Sequence, residues 1–315
     1  MSIVTALAKK LNKSEYEVSS FLLDAPKKYK VYSIPKRKHG HRVIAQPSKE
    51  LKSYQRAFIE LSSSSFPIHD SAKAYIKGIG IRENALLHSK NSYLLKMDFE
   101  NFFNSINKEL FWRVWDSVVR KPLSDSERRN IDKIIFWQPN KKNRKKLVLS
   151  IGAPSSPMIS NFCMYEFDSL IADLCFEHGI NYSRYADDIT FSTNVKDVLF
   201  DIPKIVQSVL KKCFGMRMTI NHSKTAFSSR AHNRHVTGVT ISNDGQLSLG
   251  RKRKRYIKHL VYQYLQGNLD LSDINYLKGI ISFANHIESG FLQSLKNKHP
   301  QLDFNKLFEA VNEQK

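Results

Sequence analysis

Long apolar runs are missing from this 315-residue chain. None approaches the about 18 consecutive apolar residues of a membrane-spanning helix, so a membrane is not an expected partner. Cysteine is scarce too: Cys163, Cys175 and Cys213 are odd in number, far apart and flanked by apolar residues. That pattern favours buried free thiols in a reducing cytoplasm over disulfides or a zinc site. The 11 histidines show no metal-ligand spacing, and the first ten residues lack the basic-then-apolar order of a secretory signal. Acidic residues are the other shortage. Only 29 Asp and Glu stand against 50 Lys and Arg, a formal charge of +21, in a chain with 11% aromatic residues. A foldable chain with that excess of cations points to a polyanionic partner.

Apolar periodicity divides the chain into helical and extended stretches. Residues 1 to about 30 read as a small helical cap, with Ser14 opening Glu15-Tyr16-Glu17-Val18 as a capping box. Residues 29–35 and 43–45 are expected strands on either side of a strongly basic loop, Lys36 to Arg42. That loop is either a solvated hairpin or a set of cations that grips phosphates. Residues 51–59 are helical in spacing, and Asn84-Ala85-Leu86-Leu87-His88 fits a short helix. Residues 93–98 read as a mostly buried strand ending in Asp98, after which Asn107 caps a helix with Phe111, Val114, Trp115 and Val118 on one face.

After the basic run at residues 141–146, Ser156 before Pro157 is expected to cap a helix carrying Ile159, Cys163, Phe167, Leu170, Ile171 and Leu174. The Gly152-Ala153-Pro154-Ser155-Ser156-Pro157 loop ahead of it would offer free N–H groups to a nucleotide or template. Val198, Ile202, Val206, Val209, Leu210 and Cys213 outline another helix, and residues 216–220 a returning strand. Residues 235–241 and 246–249 flank Asn243-Asp244-Gly245, a short-range hairpin signal. The order β, α, ββ, α, β predicts an α+β fold with a mixed or antiparallel sheet. Composition shifts at Arg251-Lys252-Arg253-Lys254-Arg255, and the remainder is helical in pattern, which sets a boundary near residue 247. Those cations would clamp a nucleic-acid backbone or form a solvated helix face.

Tyr185-Ala186-Asp187-Asp188 sits between two runs rich in β-branched and aromatic residues and reads as a hairpin tip. Adjacent carboxylates among apolar neighbours require either a solvated turn or a cation that neutralises them. Asp98, 89 residues earlier, also ends a core strand. If the strands are neighbours, three carboxylates converge, and hard oxygen donors of this kind suit Mg²⁺ held together with substrate phosphates. Two such ions about 3.5–4 Å apart would activate a 3′ or 2′ hydroxyl and stabilise a leaving pyrophosphate.

In that order the motifs resemble those of reverse transcriptases. Tyr185-Ala186-Asp187-Asp188 matches the Tyr-x-Asp-Asp box, Arg42 to Ser48 a fingers motif, Asp98 to Ile106 the first catalytic box, and Gly152 to Pro157 the family's Gly-Ala-Pro-Ser-Ser-Pro loop. Asn221 with Lys224 resembles the motif after the catalytic hairpin. Asn84 to His88 is similar to the Asn-Ala-x-x-His box, and Val236-Thr237-Gly238 to the Val-Thr-Gly box, of bacterial retron enzymes.

The resemblance implies a right-hand polymerase architecture. Residues 1–30 would form an N-terminal helical cap and 31–92 the first part of the fingers. Residues 93–247 would be the palm, with an antiparallel sheet and the remaining fingers insertion at about 107–158, and 248–315 a basic helical thumb. It places Asp98, Asp187 and the Phe99 carbonyl on two Mg²⁺ ions, Asp188 completing the acidic cluster, with deoxynucleotide triphosphates as substrates. Phe103 would be the aromatic gate against a 2′ hydroxyl, although Phe102 or Phe103 could equally be core. Lys36 and Arg42 would grip the triphosphate, Gly152 would shape the nucleotide site, and Lys224 would protonate the pyrophosphate or be an ordinary surface lysine. Ile151 departs from the family's usual glutamine and would pack where an amide makes contact.

The implied partner is a dedicated structured non-coding RNA, with its RNA–DNA hybrid product. The RNA is primed from an internal 2′ hydroxyl to give branched single-stranded DNA (msDNA). Asn84, His88, Val236, Thr237, Gly238, Arg251 and Arg255 are candidates for RNA recognition. A bacterial antiphage role with a separate effector protein is implied as well. The alternatives are a group II intron or diversity-generating reverse transcriptase and, from another class, a non-catalytic RNA-binding palm scaffold, against which the three acids argue.

Overall fold

The computed structural model describes residues 2–35, 40–140 and 146–309. The fold is mixed α+β, as expected, and divides into two compact units. Unit 1 comprises Met1–Lys77, Leu95–Phe191 and Asp197–Ala226; unit 2 comprises Gly78–Leu94, Ser192–Lys196 and Phe227–Lys315.

Helices α1 (Ile3–Leu11) and α2 (Glu15–Leu22) open unit 1, and Ser14 makes the expected capping box with Glu17. Strands β1 (Tyr29–Pro35) and β2 (His41–Pro47) pair antiparallel from Tyr29 opposite Pro47 to Pro35 opposite His41. Residues 36–39 and 141–145, which include Lys36 and Lys38, lie outside the described residues. Helix α3 (Lys49–Ser62) is capped by Ser48 and buries Leu51, Tyr54 and Phe58, with Tyr54 stacked on Phe21 at 4.3 Å. Helix α4 (Ile81–His88) belongs to unit 2.

Strand β3 (Tyr93–Asp98) leads into the single-turn helix α5 (Phe102–Ser105) and then α6 (Lys108–Val114), capped by Asn107 as expected. The helix widens into a π turn at Trp115–Val119 and so does not carry its stripe through Val118 as a regular helix. Helix α7 (Asp125–Ile135) follows. Phe66, Phe111, Trp115 and Phe162 then pack ring on ring at 5.1–6.4 Å in the centre of this unit. Burying each of these rings contributes about 1.5–3 kcal/mol.

Helix α8 (Ser156–Cys163) starts with Ser156 inside it, so Ser156 is not the cap; its hydroxyl is buried without a partner. The single long helix expected here is broken at Met164, and α9 (Tyr165–Glu177) continues after the break. Strands β4 (Asn181–Tyr185) and β5 (Asp188–Thr193) form the predicted hairpin, and helix α10 is Ile202–Phe214, with Val198 in a separate short turn. The expected strand at 216–220 is reduced to one bridge, Phe99 with Ile220. Strand β6 (Ala226–Ser229), not expected, completes a four-stranded sheet in the order β4-β5-β3-β6.

In unit 2, strands β7 (Arg234–Val236), β8 (Val239–Ile241) and β9 (Leu247–Ser248) form an antiparallel sheet. The Asn243-Asp244-Gly245 hairpin joins β8 to β9 as expected. Residues 235–241, read as one strand, are themselves a hairpin that turns at Thr237 and Gly238, with φ of 46° and 83°. Two consecutive left-handed residues give the turn whose twist suits antiparallel strands, and glycine takes the second position without strain. Helices α11 (Arg251–Leu265) and α12 (Leu271–Ile287) match the expected amphipathic pair; α13 (Ser289–Lys298) and α14 (Phe304–Glu309) follow. Their core unites Ala85, Val236, Val261, Leu277, Leu295 and Leu307.

Candidate active site

Three acids meet within unit 1 because backbone pairing draws their strands together. The Phe99 N–H donates to the Asp187 carbonyl at 3.0 Å, the Asn221 N–H donates to the Asp98 carbonyl at 2.7 Å, and the Glu100 N–H to the Thr219 carbonyl at 2.8 Å. The first of these bonds sets the acidic turn beside the end of β3. The other two bring residues 219–224 alongside, so Lys224 Nζ reaches both Asp98 oxygens at 2.7 and 2.8 Å. Asp98 is buried, whereas Lys224 is half exposed.

Local charge is strained toward protonation. Burial first, then the Asp98 charge, raises the Asp187 carboxyl above its ordinary value. Burial in the cleft, then Asp187 and Asp98, pushes Asp188 up to about 7. Asp188 nevertheless keeps an exposed surface, so water tempers that rise. Arg42, exposed on β2, lowers the Asp187 value from a distance, as does Lys224. A crowded carboxylate group that titrates high is short of positive charge, and its donors are all hard oxygens, which fits Mg²⁺. Among the described residues no three Asp, Glu, His or Cys side chains close round one point.

A cavity of about 300 Å³ is lined by Lys52, Arg56, Tyr75, Phe103, Ile151 and Gly152, among others, and its Tyr75 lies near enough to Asp187 to feel that charge. Of the two candidate rings, Phe102 is buried against Phe99 at 5.6 Å, while Phe103 is half-buried and faces this cavity. The Ala45 N–H donates to the Ile151 carbonyl at 3.2 Å, which lays the loop along β2. Gly152 follows at φ 113°, where a Cβ would stand 3.5 Å from Ile44 and the backbone would be strained. Lys52, Arg56 and Tyr75 were missed from the sequence. Tyr75, left-handed at φ 64° and half-exposed, is an outlier for an aromatic residue, and only its basic, glycine-punctuated setting at residues 71–80 hinted at it.

The candidate RNA-recognition residues, all in unit 2, divide by exposure. Asn84 and His88 are fully buried: Asn84 Nδ2 donates to Thr237 Oγ1 at 3.4 Å, and His88 Nδ1 lies 2.8 Å from Ser192 Oγ. Val236 is core, whereas Gly238 is exposed and its carbonyl accepts from Arg253 Nη1 at 3.2 Å. Arg251 and Arg255 are exposed at the start of α11, beside a groove of about 1050 Å³ that also takes in Arg230, His232 and His235. No acid lies in the first turn of α11; Glu288 instead accepts from the Leu249 N–H at 3.0 Å and pairs with Lys254. Cationic side chains and the positive end of the helix therefore add together there.

Residues 34–241 match the family of reverse transcriptases (RNA-dependent DNA polymerases), and the chain belongs to that family. It is 48% identical over 271 residues to the retron Ec83 reverse transcriptase of Escherichia coli, covering 86% of each, and 31% identical over 293 residues to the E. coli retron Ec73 reverse transcriptase, covering 90% of each. It is thus a retron reverse transcriptase, which takes the place of the intron-type, diversity-generating and non-catalytic alternatives. A solved telomerase from Candida tropicalis is similar at a TM-score of 0.48 and 17% identity over 68% of this chain; the chain spans about half that structure's length, 53%. No helix among the described residues is long and apolar enough to cross a membrane.

Proposed function

We propose that this enzyme copies part of a dedicated structured RNA into branched single-stranded DNA (msDNA), primed from an internal 2′ hydroxyl, and serves bacterial antiphage defence with a separate effector protein. The observation that carries the chemistry is the meeting of Asp98, Asp187 and Asp188 with Lys224 at the turn between β4 and β5. Asp98, Asp187 and the Phe99 carbonyl would hold two Mg²⁺ ions, with Asp188 completing the acidic cluster. When bound, those ions supply activation of the attacking hydroxyl and stabilisation of the leaving pyrophosphate.

The chain's own groups do the rest. Lys224 pairs with Asp98, and a half-exposed ion pair contributes about 1 kcal/mol or less, so the ammonium is displaceable. Its ammonium would give a proton to the leaving pyrophosphate. Phe103 would close the sugar side of the cavity against a 2′ hydroxyl, Ile151 would pack against the incoming nucleotide, and Gly152 would let the backbone approach. Arg42, with Lys36, grips the triphosphate. The fingers would comprise residues 31–92 and about 107–158, the palm the rest of 93–247, and the thumb 248–315, after a helical cap at 1–30. Arg251 and Arg255 would contact RNA phosphates, while Asn84 and Val236 would act indirectly by bracing the Thr237-Gly238 turn and His88 by holding Ser192.

Purification of the protein with its co-expressed RNA, followed by a search for covalently attached DNA, tests this reading. DNA is expected in the wild type and absent in Asp187→Asn; equal amounts in both would sink the assignment of Asp187. DNA made on any primed template, with no specific RNA co-purifying, would remove the dedicated-RNA part and leave polymerisation intact.

A further inference from the structure

Beneath the acidic turn lies a buried ion pair that the chemistry above does not use. Arg184, on β4, and Asp168, on α9, are both fully buried. Arg184 Nε donates to the two Asp168 oxygens at 2.9 and 3.1 Å, and Nη2 donates to Oδ2 at 2.6 Å. The Tyr182 hydroxyl donates to Asp168 Oδ1 at 2.7 Å. The other nitrogen, Nη1, donates to Asn161 Oδ1 at 3.1 Å and to the Ala186 carbonyl at 3.2 Å, while Asn161 Nδ2 donates to the Ala74 carbonyl at 2.9 Å. One guanidinium thus links α8, α9 and the catalytic turn.

Stability alone does not call for this arrangement, because a buried ion pair is often matched or exceeded by apolar side chains of similar volume. Two features direct it to the turn. Ala186 is left-handed at φ 58°, a conformation that costs a non-glycine residue about 1–2 kcal/mol and persists only where surroundings enforce it. Its carbonyl is the one Arg184 holds, and the next carbonyl, that of Asp187, is held by the Phe99 N–H. Both peptide planes flanking Asp187 are therefore tied down, one to the helices and one to the end of β3. Only a planar fork can grasp Asp168 with two nitrogens and still present a third to Asn161 and Ala186; an ammonium cannot.

We propose that Arg184 is a positioning residue that fixes the Ala186-Asp187 peptide so that the Asp187 carboxylate faces Asp98 at the spacing a divalent cation needs. This rests on the reading of Asp98 and Asp187 as cation-holding acids, and the test separates the two. Three variants are compared with the wild type, each purified with co-expressed RNA: Arg184→Lys, the apolar replacement Arg184→Met with Asp168→Leu, and Asp187→Asn. Mn²⁺ binding is followed by electron paramagnetic resonance, alongside thermal melting, the Mg²⁺ dependence of DNA synthesis and the KM for deoxynucleotides.

Arg184→Lys and the apolar double variant are expected to melt cooperatively yet bind Mn²⁺ about tenfold more weakly, a loss of about 1.4 kcal/mol. The Mg²⁺ requirement should rise in parallel, with the nucleotide KM changed far less. Wild-type Mn²⁺ binding in the folded double variant overturns the proposal, even if Arg184→Lys is impaired, because the defect then comes from a mispaired buried charge. Wild-type Mn²⁺ binding in Asp187→Asn instead overturns the reading of the acids.

Discussion

Phe102 and Phe103 are neighbours in sequence but point about 100° apart on one helical turn, and that angle gives them different jobs. Phe102 stacks in the core on Phe99, whereas Phe103 borders the cavity. Phe103→Ala is expected to raise ribonucleotide incorporation about 10- to 200-fold relative to deoxynucleotide, the range a single steric contact commands. Phe102→Ala should leave sugar choice alone and cost about 3–5 kcal/mol of stability. Parallel incorporation and melting assays distinguish the two; unchanged sugar discrimination in Phe103→Ala assigns that ring to packing. The acids were legible because carboxylates at strand ends are costly without a cation. Which phenylalanine faced the cavity was not, since two adjacent rings carry the same letter and only the helix direction separates them. Tyr75, Lys52 and Arg56 were likewise hidden, because their role comes from chain segments far apart in sequence.

At the scale of elements, helices with a clean 3.6-residue stripe were readable: α2 with its capping box, α3, α10, α11 and α12. Short strands were not. Strands of three or four residues, such as β6 and β7, carry too few positions for alternation to show, and the Thr237-Gly238 turn was masked by the β-branched residues on both sides. The break at Met164 has no proline or glycine to announce it. Between α6 and α7 an acid has become a joint: Asp132 accepts from Trp112 Nε1 at 2.8 Å, and burial pushes its carboxyl up to about 6. A raised carboxyl means the folded state disfavours its charge. The penalty is absent below the unfolded value of 3.8, grows as pH rises and is complete above about 6. Asp132→Asn keeps an acceptor for Trp112 and removes the charge, so it should stabilise the protein by about 2–3 kcal/mol at pH 8 and by nothing below pH 4. Melting curves across that range check it, and a gain independent of pH would refute the electrostatic cause.

Over the whole molecule, the charge of +21 governs how any nucleic acid is held. Each phosphate contact releases condensed counterions, so affinity falls steeply with salt. Replacing Arg251 and Arg255 together by alanine should weaken binding of the co-expressed RNA and flatten the dependence of log affinity on log salt by about two. An unaltered slope in a binding titration at several salt concentrations would remove both from the phosphate interface.

Each unit is assembled from three separate lengths of chain. Ala85 and Leu94 share a core with residues from Val236 to Leu307. At about 5–20 residues per second, a ribosome takes roughly 7 to 28 seconds to travel from Leu94 to the first of those partners. Throughout that interval the partners that cover Ala85 in the folded protein have not yet been made. Newly made chains are therefore most exposed to aggregation midway through translation, and conditions that slow elongation past residue 94 lengthen that exposure.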